Sequence, residues 1–190
     1  MFNLVLFGPP CAGKGTQAKK IAEKYQLTHL STGEMIRREI AQGTEVGKMA
    51  GQIINNGQLL PDELVVGLLR KEIAGRIGKE GFLFDGFPRT VEQAKKLDGM
   101  LAEYGSALHG FINIRVPEPE LKERMRKRAG IEGRADDTEE AIDTRFREYH
   151  RRTTPVAEYY RPLCRDIRGD RSVDEVFTDI SRFIDDLEAD

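Results

Sequence analysis

The 190-residue sequence predicts an α/β fold in which a parallel sheet is flanked by helices. Three observations carry that expectation. Apolar runs of strand length alternate with longer helical patterns along most of the chain. The first run leads directly into Gly8-Pro9-Pro10-Cys11-Ala12-Gly13-Lys14, which then opens a helix. Hydrophobic residues make up 39% of the chain and glycine contributes 19 more positions, a composition that supports a packed core and excludes wholesale disorder.

The elements follow in order. Residues 3–7 read as the first strand rather than a leader, because no basic segment precedes the apolar run and a glycine turn ends it. Helical spacing covers 14–25, and a second short strand covers 29–31. Residues 33–74 then show helices at 33–41, 46–55 and 62–74 but no convincing strand, so a helical excursion is expected there. Pro61 suits the first position of its helix, where the missing N–H is harmless. A strand at 82–85, a helix at 91–104, a strand at 110–116 and a helix at 118–128 restore the alternation. Residues 129–137 are rich in glycine and charge without apolar periodicity, which predicts an exposed loop. The pattern at 138–160 is helical, with Pro155 expected to kink or interrupt it. A weak strand at 165–168 and a helix at 173–187 complete one domain.

Charge and cysteine content narrow the function classes. Thirty basic and 32 acidic residues give a net charge of −2, which does not suit a strongly basic nucleic-acid binder. The balance is uneven, however: residues 115–171 hold 15 basic groups, of which 13 are arginine. Acidic residues interleave them, and no RNA-binding motif with stacking aromatics accompanies them. The two cysteines, Cys11 and Cys164, form neither a disulfide framework nor a zinc-ligand spacing. No apolar run approaches the ~20 residues that span a bilayer. A cytoplasmic protein that engages neither membrane nor nucleic acid is expected.

The loop at residues 8–14 has the G-x-x-x-x-G-K spacing of a phosphate-binding loop, in the strand–loop–helix context that confirms such a motif. Its glycines let the backbone wrap phosphate oxygens, and the helix N-terminus adds positive potential. Lys14 supplies a point charge for the β- and γ-phosphates. The residue after Lys14 is Gly15, and the hydroxyl comes one place later at Thr16. Gly-Lys-Gly-Thr is a mark of nucleoside monophosphate kinases, which need a second nucleotide site.

Three further segments carry a resemblance. They are Leu30-Ser31-Thr32-Gly33-Glu34-Met35-Ile36-Arg37, Gly81-Phe82-Leu83-Phe84-Asp85-Gly86-Phe87-Pro88-Arg89-Thr90 and Gly133-Arg134-Ala135-Asp136-Asp137. With the phosphate loop they closely resemble the adenylate kinase family, in its order and spacing, from about residue 3 to 177. The resemblance implies a P-loop kinase fold with a five-stranded parallel sheet, an AMP-binding insertion at 31–74 and a short lid at 128–137 that lacks zinc cysteines. It implies MgATP as phosphoryl donor, AMP as acceptor and ADP as product, in a monomer.

Site residues follow position by position. Cys11, Ala12, Gly13, Lys14, Gly15 and Thr16 match the ATP phosphate loop, Arg128 the ATP-side arginine, and Arg171 a position where a backbone carbonyl reads the ATP adenine. Thr32, Arg37, Gln58, Leu59, Leu60, Gly86, Phe87, Pro88, Arg89 and Gln93 match AMP contacts. Arg134 and Arg145 match arginines that close over the transferred phosphate. The resemblance thus implies Lys14, Arg89, Arg128, Arg134 and Arg145 as the catalytic cations, and Asp85 suits Mg²⁺ held through water. Thr32 and Gln93 favour AMP over CMP or UMP, the alternative acceptors; a non-catalytic adenine nucleotide sensor is the rival from another class. His29, His109 and His150 show no ligand spacing. Cys11 stands where the family usually has glycine, and its place near a helix N-terminus raises the expectation that modifying it inhibits.

Overall fold

The computed structural model describes residues 1–76, 81–132 and 138–189. Five strands, β1 (Leu4–Phe7), β2 (Thr28–Ser31), β3 (Phe82–Asp85), β4 (Gly110–Arg115) and β5 (Cys164–Arg168), form one sheet in the order β2-β3-β1-β4-β5. Every pairing is parallel, with Leu6 opposite both Asp85 and Ile112. The helices are α1 (Lys14–Lys24), α2 (Thr32–Ala41), α3 (Glu45–Asn55), α4 (Asp62–Ala74), α5 (Val91–Glu103), α6 (Glu118–Glu132), α7 (Glu139–Glu148), α8 (Thr154–Tyr159) and α9 (Val173–Ala189).

Because neighbouring strand residues face opposite sides, the all-apolar run Leu4–Phe7 feeds two cores. Leu4 and Leu6 pack with Ile21, Ile180 and Ile184 on the face covered by α1 and α9. Val5 and Phe7 pack with Leu69, Leu97 and Tyr160 on the face covered by α4, α5 and α8. Side-chain caps start several helices: Ser31, Thr44, Thr90 and Thr138 accept from the backbone N–H three residues on, at 3.0–3.3 Å. β1 lies mid-sheet, with β2 and β3 to one side and β4 and β5 to the other. The loop leaving its carboxyl end therefore sits at the topological switch point where ligands of such sheets bind.

The alternation expected from sequence is present, with two adjustments and one expected interruption. Helix α6 continues through Glu132, so residues 129–132 are helical rather than the start of a loop; the single Gly130 lowers helix propensity by about 1 kcal/mol without breaking the helix. The rest of that expected loop, 133–137, lies outside the described residues. Pro61 caps α4 from outside, and Asp62 is the first helical residue. Pro155 does interrupt the 138–160 pattern: α7 passes into a π-helical turn at Tyr149–Thr153, and Pro155 then opens α8. The wider turn keeps a bond from Thr154 N–H to the Tyr149 carbonyl, five residues back.

Candidate active site

The phosphate loop takes a conformation that its glycines permit. Gly13 has φ 89° and immediately precedes α1, and Gly8 approaches the sheet so closely that a Cβ there would lie 2.7 Å from the Ile114 carbonyl oxygen. Cys11 also has a positive φ, 60°, which costs a residue with a Cβ about 1–2 kcal/mol. The family's usual glycine at this position thus has a backbone reason. Lys14 Nζ arches back over the loop, donating to the carbonyls of Gly8 at 2.9 Å and Pro9 at 2.8 Å. Helices α2 to α7 and α9 each carry an acidic residue in the first turn, but α1 carries none. Its N-terminal potential is left for an anion.

Burial pushes the Lys14 ammonium down to about 8. The Asp85 carboxylate works against that shift, while the Arg89 and Arg145 guanidiniums reinforce it. Lys14, Asp85, Arg89 and Arg145 therefore sit within electrostatic reach of one another although they come from α1, β3, the β3–α5 loop and α7. Three cations converge with one carboxylate, which is the excess of positive charge that several clustered phosphates need.

Beside them opens a cleft, continuous with solvent, between the phosphate loop and the α2–α4 segment. Of the residues expected to meet AMP, Thr32, Arg37, Gln58, Leu59, Leu60, Gly86, Phe87, Pro88, Arg89, Gln93 and Arg145 all line its wall. Arg134 lies outside the described residues. The polar groups of this wall already hold one another. The Thr32 hydroxyl and Arg89 Nε both donate to the Gly86 carbonyl, at 2.9 and 2.8 Å. Gln93 Oε1 accepts from the Arg89 backbone N–H at 2.8 Å. Gly86 has φ 78°, and a Cβ on it would lie 2.8 Å from the Thr32 hydroxyl.

On the donor side, Lys14 alone of the expected residues lines the cleft. Gly13, Gly15 and Thr16 face solvent, and Ala12 is buried behind the loop. Arg128 is part of α6. The Arg171 side chain turns away, donating to the Arg168 carbonyl at 3.3 Å and to Asp179 at 2.5 Å, so any reading of a base there falls to its backbone.

Asp85 ends β3 and is 7% exposed, with Oδ2 3.2 Å from His29 Nε2. Among the described residues no cluster of three or more acidic, histidine or cysteine side chains offers a direct metal cage. One buried carboxylate facing the phosphate loop does fit Mg²⁺, which keeps most of its waters and takes its remaining ligands from phosphates.

The adenylate kinase family model matches residues 6–164. A protein of Bacteroides thetaiotaomicron named adenylate kinase is 44% identical over 189 residues, covering 98% of this chain and all of the relative. An adenylate kinase of Phocaeicola vulgatus is 43% identical with the same coverage, and one of Methylorubrum populi is 45% identical over 96% of both chains. The chain belongs to the adenylate kinase family.

Some lining residues of this adenylate kinase family member were not singled out from sequence. Glu148, Tyr149 and Thr153 reach the cleft from the end of α7 and the π-helical turn that follows it, and only Pro155 hinted at that turn. Tyr149 stays a neutral phenol, since burial pushes it up to about 12. His29 meets Asp85 across the β2–β3 pair, a contact that depends on register. Asp62 reaches Gln93 and Thr90 from the first turn of α4, joining elements 28 or more residues apart in sequence.

Proposed function

We propose that the chain transfers the γ-phosphoryl group of MgATP to AMP and runs the reverse reaction between two ADP molecules. The convergence of Lys14, Arg89 and Arg145 on a cleft whose far wall suits a base and a monophosphate carries this reading. ATP phosphates would lie on the α1 N-terminus and Lys14, with Cys11 to Thr16 and Arg128 around them. AMP would lie between Thr32, Arg37, the Gln58–Leu60 segment and Gln93. Arg89, Arg134 and Arg145 would hold the phosphoryl group in flight, where positioning and charge stabilisation supply most of the catalysis. The acceptor phosphate is already an anionic nucleophile, so no general base is required. Mg²⁺, when bound, neutralises charge on the donor phosphates; Asp85 would hold it through water.

The 31–74 segment and the 128–137 segment are read as the AMP insertion and the short lid. Closure of both over bound nucleotides would exclude water as a competing acceptor. No helix among the described residues is long and apolar enough to cross a membrane. Two free cysteines suit a reducing, cytoplasmic compartment, and a monomer is the proposed state.

A panel of AMP, CMP, UMP and GMP with ATP and Mg²⁺, scored for diphosphate formation, tests the reading. Preferred phosphorylation of AMP is expected. A strong preference for CMP or UMP would replace the acceptor, and binding of ATP and AMP without ADP formation would leave a sensor.

A further inference from the structure

We infer that Asp62, which does not line the cleft, fixes the orientation of the Gln93 side-chain amide and thereby lets this chain distinguish 6-amino from 6-oxo purine monophosphates. The inference rests on the AMP reading above and adds a positioning residue to it.

Gln93 is 2% exposed, yet it is one of the residues that line the cleft. Its two ends meet partners of opposite kind. Nε2 donates to Asp62 Oδ1 at 2.8 Å, and Oε1 accepts the Arg89 backbone N–H at 2.8 Å. An ionised carboxylate only accepts and a backbone N–H only donates, so the partners themselves dictate which end is oxygen. Turning the amide over would set Oε1 against the carboxylate and Nε2 against an N–H. Asp62 is itself held, because its Oδ2 accepts from the Thr90 hydroxyl at 3.3 Å. Thr90 in turn caps α5 by accepting the Gln93 N–H at 3.1 Å. In a simple capping box the Gln93 side chain would return to the N–H of the cap residue; here it bonds one residue earlier, at Arg89.

An amide with one hydrogen and one lone pair already used keeps one of each. It therefore presents an acceptor and a donor in a fixed order. Adenine offers a 6-amino donor beside the unprotonated N1 acceptor, which is the complement. Hypoxanthine and guanine offer a 6-oxo acceptor beside an N1–H donor, the reverse. A site with fixed polar groups rejects the reversed pattern because its own groups are left unpaired in a buried place. Cytosine has the same order as adenine, so its exclusion falls to the size of the cleft and not to Asp62.

AMP and IMP differ only in this edge and are the probes. Their kcat/KM values as acceptors for MgATP are to be measured in the native chain, in Asp62→Ala and in Asp62→Leu, neither of which can accept from Gln93 Nε2, the second guarding against a folding defect particular to either. Native enzyme is expected to prefer AMP strongly. Each variant should lower the AMP-to-IMP ratio by about tenfold or more, the scale of one lost charge-assisted hydrogen bond. The change should lie in KM for the monophosphate, with KM for ATP unmoved. A variant that slows AMP and IMP equally makes Asp62 a mere helix-end contact and overturns the inference. A native chain that phosphorylates AMP and IMP equally also overturns it while leaving the kinase reading intact. A native chain that forms no ADP from AMP overturns both.

Discussion

On the α2, α4 and α5 side of the cleft, the polar groups are already paired: Thr32 and Arg89 share the Gly86 carbonyl, and Gln93 is held between Arg89 and Asp62. On the phosphate-loop side, Gly13, Gly15 and Thr16 face solvent, Lys14 bonds its own loop, and Arg171 is turned onto Asp179. On the proposed reading the acceptor wall is thus built before a nucleotide arrives, and the donor side would be completed around one. Chemistry explains the difference. A base is recognised by a few directional hydrogen bonds, which lose their value if the groups wander. A triphosphate is recognised by summed charge and backbone N–H groups, which tolerate rearrangement. On the proposed reading Lys14 would exchange two carbonyl bonds for phosphate oxygens when ATP binds, and the exchange would be favourable because neutral carbonyls offset the charge of a buried ammonium less than phosphate oxygens do.

Removing a cation where the two sides meet should cost most. Arg89→Ala is expected to lower kcat by on the order of 10³, since arginines in phosphoryl transfer can supply 10³–10⁵ in rate. The melting temperature should change little, because Arg89 is only partly buried. Steady-state kinetics with a thermal melt check this; a loss below about tenfold removes Arg89 from the reacting centre. Gly86→Ala comes next. Its Cβ would collide with the Thr32 hydroxyl in a backbone conformation that disfavours a side chain. We expect KM for AMP to rise by about ten- to a hundredfold. KM for ATP should move far less, because the damage is confined to the acceptor wall. Equal changes in both constants would deny that the two sides are separately organised.

The donor side should show itself in pH dependence. Lys14 titrates near 8 in the nucleotide-free protein, below its ordinary value, because burial disfavours the charged form. Above that pH the free enzyme loses a cation that ATP needs, so kcat/KM for ATP should fall by about tenfold per unit. Bound phosphates favour the ammonium and raise its pKa, so kcat should hold to higher pH. The sign for stability is opposite to that for binding. A depressed lysine destabilises the fold while it remains protonated, and the penalty is relieved as pH rises from about 8 toward the unfolded value. A kcat/KM for ATP that is flat through pH 9.5, while kcat is also flat, would show that Lys14 does not titrate there.

Sequence told much of this because the relevant residues are consecutive. The phosphate loop, the strand–helix alternation and the Gly86–Arg89 turn are each local, and their physical needs can be stated residue by residue. The edge strand β5 was faint because only Ile167 of its five residues is buried, the rest carrying the polar character that protects an edge. The end of α6 was misplaced because glycine and charge beyond residue 128 resemble loop composition, yet neither forbids a helix. Asp62–Gln93 and His29–Asp85 were illegible for a different reason. They depend on the register of β2 with β3 and on how α4 packs against α5, which no single segment specifies.

The smallest effect is also the one that isolates strain from chemistry on the donor side. Cys11 holds a left-handed conformation, φ 60°, at a place where a glycine would have no penalty. Cys11→Gly relieves that penalty but gives the unfolded chain more freedom, and the two contributions oppose each other. The left-handed term, about 1–2 kcal/mol, exceeds the entropic one, about 0.4–1 kcal/mol. A net gain of up to about 1 kcal/mol is expected, read as a higher denaturation midpoint at constant m-value. KM for AMP should be unchanged, because Cys11 does not line the cleft. Alkylating the native thiol adds bulk beside the loop that must wrap phosphates, so it should inhibit, and saturating ATP should protect. If Cys11→Gly is less stable than the native chain, the loop is not strained at this residue. If the fully alkylated enzyme retains its activity, the donor side tolerates more crowding than a wrapped phosphate loop allows.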